Sequence, residues 1–129
     1  MRGVRVTMIH ECVKEIYSTL GPGFSERVYH NAMEVILRES GVSYETERII
    51  PIVFKGHTIG NLRADIIIEK TTVVELKSVK NINDVMVSQA RNYLNLLNLH
   101  EAYLVNFPPS PNAEPEVIRV SREPEMAVP

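Results

Sequence analysis

The stretch Arg63-Ala64-Asp65-Ile66-Ile67-Ile68-Glu69-Lys70-Thr71-Thr72-Val73-Val74-Glu75-Leu76-Lys77 decides the fold. Two runs rich in β-branched residues flank the polar Glu69-Lys70-Thr71, a length that suits a tight connection. Residues 58–68 and 72–78 are therefore predicted to pair as an antiparallel hairpin. Three charges interrupt these near-continuous apolar strands, where a charge is costly unless paired. Asp65 opens the first run, although aspartate is disfavoured in strands. Glu75 lies inside the second, and Lys77 follows it by two residues and shares its face. With the turn centred near residue 70, Asp65 stands opposite Glu75 or Leu76. Opposed residues bring their Cβ atoms to roughly 4.5–5.5 Å. Two carboxylates that close repel, so one takes up a proton or a cation sits between them. Lys77 can supply part of that charge, and a divalent metal with oxygen ligands can supply more. The plainer alternative puts Glu75 and Lys77 on a wet face of a half-exposed sheet, with Asp65 as a strand-start residue. Spacing alone leaves both open.

Upstream, residues 43–54 read as a further strand, with Pro51 marking an edge or a bulge, and Lys55-Gly56-His57 as a turn. Two amphipathic helices precede it. Ile9, Cys12, Val13, Ile16, Tyr17 and Leu20 give a helical period over 7–20, with Thr7 as N-cap and Gly21 as stop. After the break at Gly21-Pro22-Gly23, a second helix is predicted over 24–39. Its apolar stripe is read as Phe24, Val28, Ala32, Val35 and Ile36. Downstream, helical period returns over 81–98, with Asn81 or Asn83 as cap, and residues 101–107 read as a strand. From 108 the composition shifts. Six of the eight prolines lie in 108–129, so this is read as a tail, with one edge strand at 116–121. The order ααβββαβ predicts an α/β fold, a mixed central sheet of about four to five strands flanked by helices. Residues 1–107 are expected to form one domain.

Composition narrows the function classes. The chain has 129 residues, 44% hydrophobic and 23% charged, which excludes a wholly disordered or collagen-like protein. The single cysteine, Cys12, excludes an internal disulfide framework and a cysteine-based zinc site. It fits a reducing compartment, and the first residues lack the apolar stretch of a secretion signal, so the cytoplasm is the expected location. No apolar run approaches the roughly 18 residues of a membrane span. A net charge of −2 gives no global basic field. The four histidines show no metal spacing, and no Gly-rich phosphate loop, G-x-S-x-G or H-E-x-x-H occurs. Two further polar features stand out. Glu26 falls in the first turn of the second helix, where a carboxylate suits the helix dipole. Gln89 and Tyr93 are i and i+4 on the third helix and share a face. Taken locally, these are a capping residue, a surface glutamine and a core tyrosine.

Taken together, the motifs resemble a family. Asp65 with Glu75-Leu76-Lys77 is similar to the D…(D/E)-x-K core of the PD-(D/E)xK nuclease superfamily. Gly23-Phe24-Ser25-Glu26-Arg27-Val28-Tyr29 resembles the G-x-x-E-x-x-Y signature of its GxxExxY branch. Gln89-Ala90-Arg91-Asn92-Tyr93 is similar to the Q-x-x-x-Y helix motif of its exonuclease-like branches. Ala64 stands where the superfamily's name has proline. The resemblance covers about residues 7–107 and implies a restriction-endonuclease-like core and metal-dependent hydrolysis of phosphodiesters, with DNA the expected polymer. It implies Mg²⁺, replaceable by Mn²⁺, held by Glu26, Asp65, Glu75 and the Leu76 carbonyl. It makes Asp65, Glu75 and Lys77 the catalytic set, with Lys77 supporting the attacking water or the transition state. Gln89, Tyr93, Tyr29 and Arg91 would be supporting or substrate-binding residues, with Lys80 a further phosphate contact. The lack of basic surplus suggests a homodimer or a partner subunit. Two other readings stand beside this one. One is a non-catalytic nucleic-acid-binding or assembly module that retains the fold. The other is an unrelated α/β interaction domain. The nuclease reading requires Glu26, Asp65 and Glu75 to meet at an accessible cleft.

Overall fold

The computed structural model describes residues 2–122, with side chains from Thr7 onward. Residues 123–129 of the proline-rich stretch lie outside the described residues. The elements are α1 (Arg2–Leu20), α2 (Glu26–Glu39), β1 (Tyr44–Phe54), β2 (His57–Ile68), β3 (Thr72–Lys77), α3 (Asp84–Leu97), β4 (Glu101–Asn106) and β5 (Glu116–Ser121). The five strands form one mixed sheet in the order β1-β2-β3-β4-β5. All neighbours are antiparallel except β3 and β4, which run parallel with α3 as their crossover. β5 thus brings the proline-rich stretch into the sheet, paired with β4 from Glu101↔Ser121 to Asn106↔Glu116.

Three layers follow from the strand alternation. Ile66, Ile68, Val74, Leu76, Tyr103 and Val105 pack on Ile9, Cys12, Val13 and Ile16 of α1 and Tyr29, Met33 and Leu37 of α2. On the other face Ala64, Ile67, Val73, Ala102 and Leu104 pack on Ala90 and Leu94 of α3. β3 and β4 are covered on both sides, which is why their central residues are apolar on both faces apart from Glu75. Pro51 lies on β1, at one edge of the sheet, where its missing N–H is harmless.

Two sequence expectations are corrected. The first helix begins at Arg2, so Thr7 lies inside it rather than capping it; no proline precedes Thr7 to stop the helix. In α2 the buried stripe is Tyr29, Met33 and Leu37, whereas Phe24, Val28 and Val35 are exposed. The helix starts at Glu26, leaving Phe24 outside it and Ser25 as an extended N-cap residue. Two apolar stripes compete on this helix, and the one with the larger side chains is buried. Tyr29 decides it. Its ring is fully buried and stacks on Phe107 at 4.3 Å with planes 6° apart.

Candidate functional site

The site begins where β2 and β3 separate. Their pairing runs Ile68↔Thr72, Ile67↔Val73, Ile66↔Val74 and then stops. Beyond it, side chains replace the backbone ladder. The Asp65 amide donates to Glu75 Oε2 at 3.2 Å, and the Leu76 amide donates to Asp65 Oδ2 at 2.9 Å. Each carboxylate thus holds an amide of the opposite strand across the gap. On the other side of β2 the backbone is kinked as well. Glu47 has φ 55°, between the pairs Thr46↔Ile66 and Arg48↔Ala64. The alternation of β2 slips at the same place. Ala64 packs with the α3 layer, as does Ile67, although the two are three residues apart. Asp65 therefore sits at a break in the pleat.

Glu75 is almost fully buried. Burial, and then the neighbouring Asp65 charge and its hydrogen bond, push its carboxyl up to about 9; the Asp65 amide and the Tyr93 hydroxyl pull the other way. Without a cation, Glu75 thus holds a proton at neutral pH. That is the outcome expected when two opposed carboxylates share a desolvated gap. Tyr93 of α3 closes the gap from its side. Its hydroxyl donates to the Arg63 carbonyl at 2.9 Å and interacts with Glu75. Burial and the Glu75 charge raise the Tyr93 hydroxyl well above the ordinary tyrosine range, so it is a hydrogen-bonding group rather than a base.

The cleft itself opens on the α1/α2 side. It holds about 210 Å³ and is lined by Glu26, Arg27, His30, Arg63, Asp65 and Leu76. Glu26 reaches it from the first turn of α2, where its Oε2 accepts from the Ser78 amide at 3.3 Å. The end of β3 is fixed for this contact from below. Phe107 N donates to the Lys77 carbonyl at 2.9 Å, and Ser78 Oγ donates to the Phe107 carbonyl at 3.1 Å. The fully buried Asn106 accepts from Val79 N and donates to Val79 O, both at 2.9 Å.

The structure therefore brings Glu26, Asp65 and Leu76 together in one cleft, with Glu75 joined to Asp65 from behind. Strand alternation places Glu75, like Val73, toward α3, and the half-buried Lys77 follows on that face. Among the described residues, no three His, Cys, Asp or Glu groups lie close enough to enclose a metal ion. Glu26 and Asp65 are nonetheless hard oxygen donors at one opening, beside a carboxyl pair that takes up a proton to relieve its own repulsion. This donor chemistry fits a hard divalent cation that keeps several waters.

The remaining sequence candidates are placed differently. Tyr29 points into the core. Its hydroxyl donates to Gly21 O at 2.7 Å and accepts from Phe24 N at 3.3 Å, which fastens the Gly21–Phe24 turn ahead of α2. Gln89 is exposed one turn before Tyr93. Arg91, two residues from Tyr93, projects roughly 160° away from it around the helix. Its Nε is buried without a hydrogen-bond partner.

Three residues of the cleft went unread in the sequence: Arg27, His30 and Arg63. Arg27 pairs with Glu47, and Arg63 and His30 add to the positive field that lowers the Glu47 carboxyl after Arg27 itself. His30 Nε2 lies 2.9 Å from Glu34 Oε2, off the hydrogen-bond direction. A spacing signal existed. His30 is four residues from Glu26 on one helix face, and Arg63 is two from Asp65 on one strand.

A sequence profile of the PD-(D/E)XK nuclease superfamily matches residues 4–120. Comparison with curated protein sequences gives no match. Among solved structures, the chain resembles the crystal structure of SSO0001, with a TM-score of 0.57 and 22% identity. The likeness covers 94% of this chain and 61% of that one, so the chain spans less than two thirds of its length. It also resembles an alkaline exonuclease, LHK-Exo, from Laribacter hongkongensis, with a TM-score of 0.56 and 11% identity, over 92% of this chain and 70% of that one. These likenesses show a restriction-endonuclease-like fold. With the profile spanning nearly the whole chain and the Asp65, Glu75 and Lys77 spacing in place, the chain belongs to the PD-(D/E)XK nuclease superfamily.

Proposed function

We propose that this chain is a metal-dependent nuclease that hydrolyses phosphodiester bonds of DNA, and that within the superfamily it belongs to the GxxExxY branch. The observation that carries the reading is the carboxylate exchange at the split of β2 and β3, opening on a cleft that Glu26 shares with Asp65. Glu26, Asp65 and the Leu76 carbonyl would hold Mg²⁺ or Mn²⁺, joined by Glu75 once it is deprotonated. Such a cation, when bound, supplies charge neutralisation for the phosphoryl oxygens and makes water more acidic. Lys77, on the Glu75 side of the split, would supply an ammonium to the negative charge that grows in the transition state. Tyr93 holds Glu75 and the Arg63 carbonyl in place, with Gln89 beside it on the exposed side of α3. Arg27, His30 and Arg63 meet the phosphates entering the cleft. With a net charge of −2, grip on a long duplex comes from a local surface or from a second subunit. Among the described residues, no helix is long and apolar enough to cross a membrane.

The test is incubation of the purified chain with linear, nicked, single-stranded and branched DNA in Mg²⁺ and in Mn²⁺, with Lys77→Ala prepared in parallel. Cleavage that EDTA stops and Lys77→Ala lacks is the expected result. A second reading is a non-catalytic binding module with the fold retained, favoured by the absence, among the described residues, of a closed three-carboxylate cluster. Calorimetry with Mn²⁺ separates the two. Binding lost in Asp65→Asn supports the nuclease; no binding supports the module.

A further inference from the structure

The β1–β2 hairpin outgrows the sheet. β2 pairs with β3 only through Ile66, Ile67 and Ile68, yet it pairs with β1 as far as Phe54↔His57. From Ile49 outward the two strands form a ribbon about 17 Å long, at about 3.4 Å per residue. One face is anchored: Ile50 is buried and, with Leu62, packs into the α3 layer. The opposite face is exposed and apolar. Ile49 is 59% exposed, Val53 58% and Ile59 64%. Pro51 and Asn61 lie between them in the same register, and the irregularity at Ile52/Val53 makes Ile59 the extra residue of β2.

Two observations say what covers this face. It is continuous with the cleft, because Ile49 pairs with Arg63, whose side chain lines the cleft beside Asp65. It is also electropositive. Segment 49–63 contains Lys55, Arg63 and His57 and no Asp or Glu, whereas Arg48 at its base is paired with Glu45, in a chain whose acids outnumber its Lys and Arg. An acid-free arm leading out of the cleft proposed to take phosphates matches a polyanion better than a second copy of a net-negative chain. The dimensions agree. The major groove of B-form DNA admits a two-stranded β-ribbon, and the arm spans about half of a helical turn of roughly 34 Å. The deep, narrow major groove of duplex RNA does not admit side chains in this way.

We propose that the β1–β2 arm is a duplex-DNA-binding ribbon, which lies in the groove beside the bond held in the cleft. Ile49, Val53 and Ile59 contact the groove, and Lys55 at the tip contacts a phosphate. This rests on the nuclease reading, and it assigns the grip on the polymer to the arm rather than to the cleft.

The test separates the two. Hydrolysis of bis(p-nitrophenyl) phosphate, too small to reach the arm, is measured beside binding of a fluorescent duplex by anisotropy, with sedimentation for oligomeric state. The variants are Val53→Ser/Ile59→Ser and, should that pair disturb the ribbon, Lys55→Glu alone. Expected is a loss of duplex affinity of about tenfold or more for the apolar pair. For Lys55→Glu a salt dependence shallower by about one is expected. Small-diester hydrolysis should stay unchanged in both. Unaltered duplex binding in folded variants overturns the arm proposal while hydrolysis leaves the nuclease reading standing. A wild-type dimer that the variants dissociate without loss of DNA affinity also overturns it, in favour of a second copy on the face. Loss of duplex binding in a protein that hydrolyses neither substrate supports the arm and sinks the nuclease reading.

Discussion

Glu75 concentrates the chemistry of this chain into one ionisation. Its carboxyl is held at about 9 when folded, against about 4.3 in an unfolded chain. The folded state therefore binds the extra proton between those values, and stability falls as pH rises through them. In EDTA, denaturant titrations from pH 5 to pH 9 should show declining stability. Glu75→Gln, neutral throughout, should flatten that decline; an equally steep slope in the variant would place the titration elsewhere. Tyr29 is the complementary case, a motif residue whose contacts are structural. Tyr29→Phe keeps the stack on Phe107 and loses the bonds to Gly21 O and Phe24 N. A cost of about 1–3 kcal/mol in denaturant stability is expected. Any activity change should follow from a loosened Glu26 turn and not from lost substrate contact.

At the level of the element, the β2–β3 hairpin carries a strain that its sequence does not advertise. Glu69 and Lys70 both have positive φ, 51° and 60°, and Thr71 N donates to Ile68 O at 3.0 Å. Within the three-residue connection Glu69-Lys70-Thr71, these two residues make a turn of the mirror-image type that favours Asn-Gly. A Cβ in that region costs roughly 1–2 kcal/mol. Lys70→Gly should therefore raise stability by up to about 1 kcal/mol, as read from the denaturation midpoint. The strain has a structural purpose. So short a connection fixes the pairing register, and the register is what sets Asp65 against Glu75 and Leu76. Asn83 does similar work for α3, accepting from Met86 N at 3.0 Å, and so sets the start of the helix that delivers Tyr93.

Across the whole molecule, the cleft depends on three layers meeting at one point. α2 supplies Glu26, Arg27 and His30, the sheet supplies Arg63, Asp65 and Leu76, and α3 backs Glu75 with Tyr93. A cation that binds this arrangement and not the unfolded chain stabilises the whole fold. Mn²⁺ at a hundredfold over its Kd should add about 2.7 kcal/mol, visible as a rise in melting temperature. Asp65→Asn should abolish the rise while folding normally. A rise that survives in Asp65→Asn would place the metal at another site.

Local sequence determined the hairpin and its consequence. A short polar turn between two β-branched runs admits few registers, and each of them puts Asp65 beside Glu75 or Leu76. The structure uses both, one through each amide. The third helix and the edge strand at Glu116–Ser121 were legible for the same reason, and the helix cap was narrowed to Asn81 or Asn83, of which the structure uses Asn83, since period and capping are properties of neighbours in the chain. Only tertiary structure decided which stripe of α2 is buried, because Tyr29, Met33 and Leu37 compete with Val28, Ala32 and Val35 until Phe107 and α1 arrive to cover one of them. It alone brought Arg27, His30 and Arg63 to Glu26 and Asp65. It also turned Glu75 toward α3 and not into the cleft. Those placements depend on where β2 kinks and how α2 crosses the sheet, and such long-range packing leaves no period in the sequence.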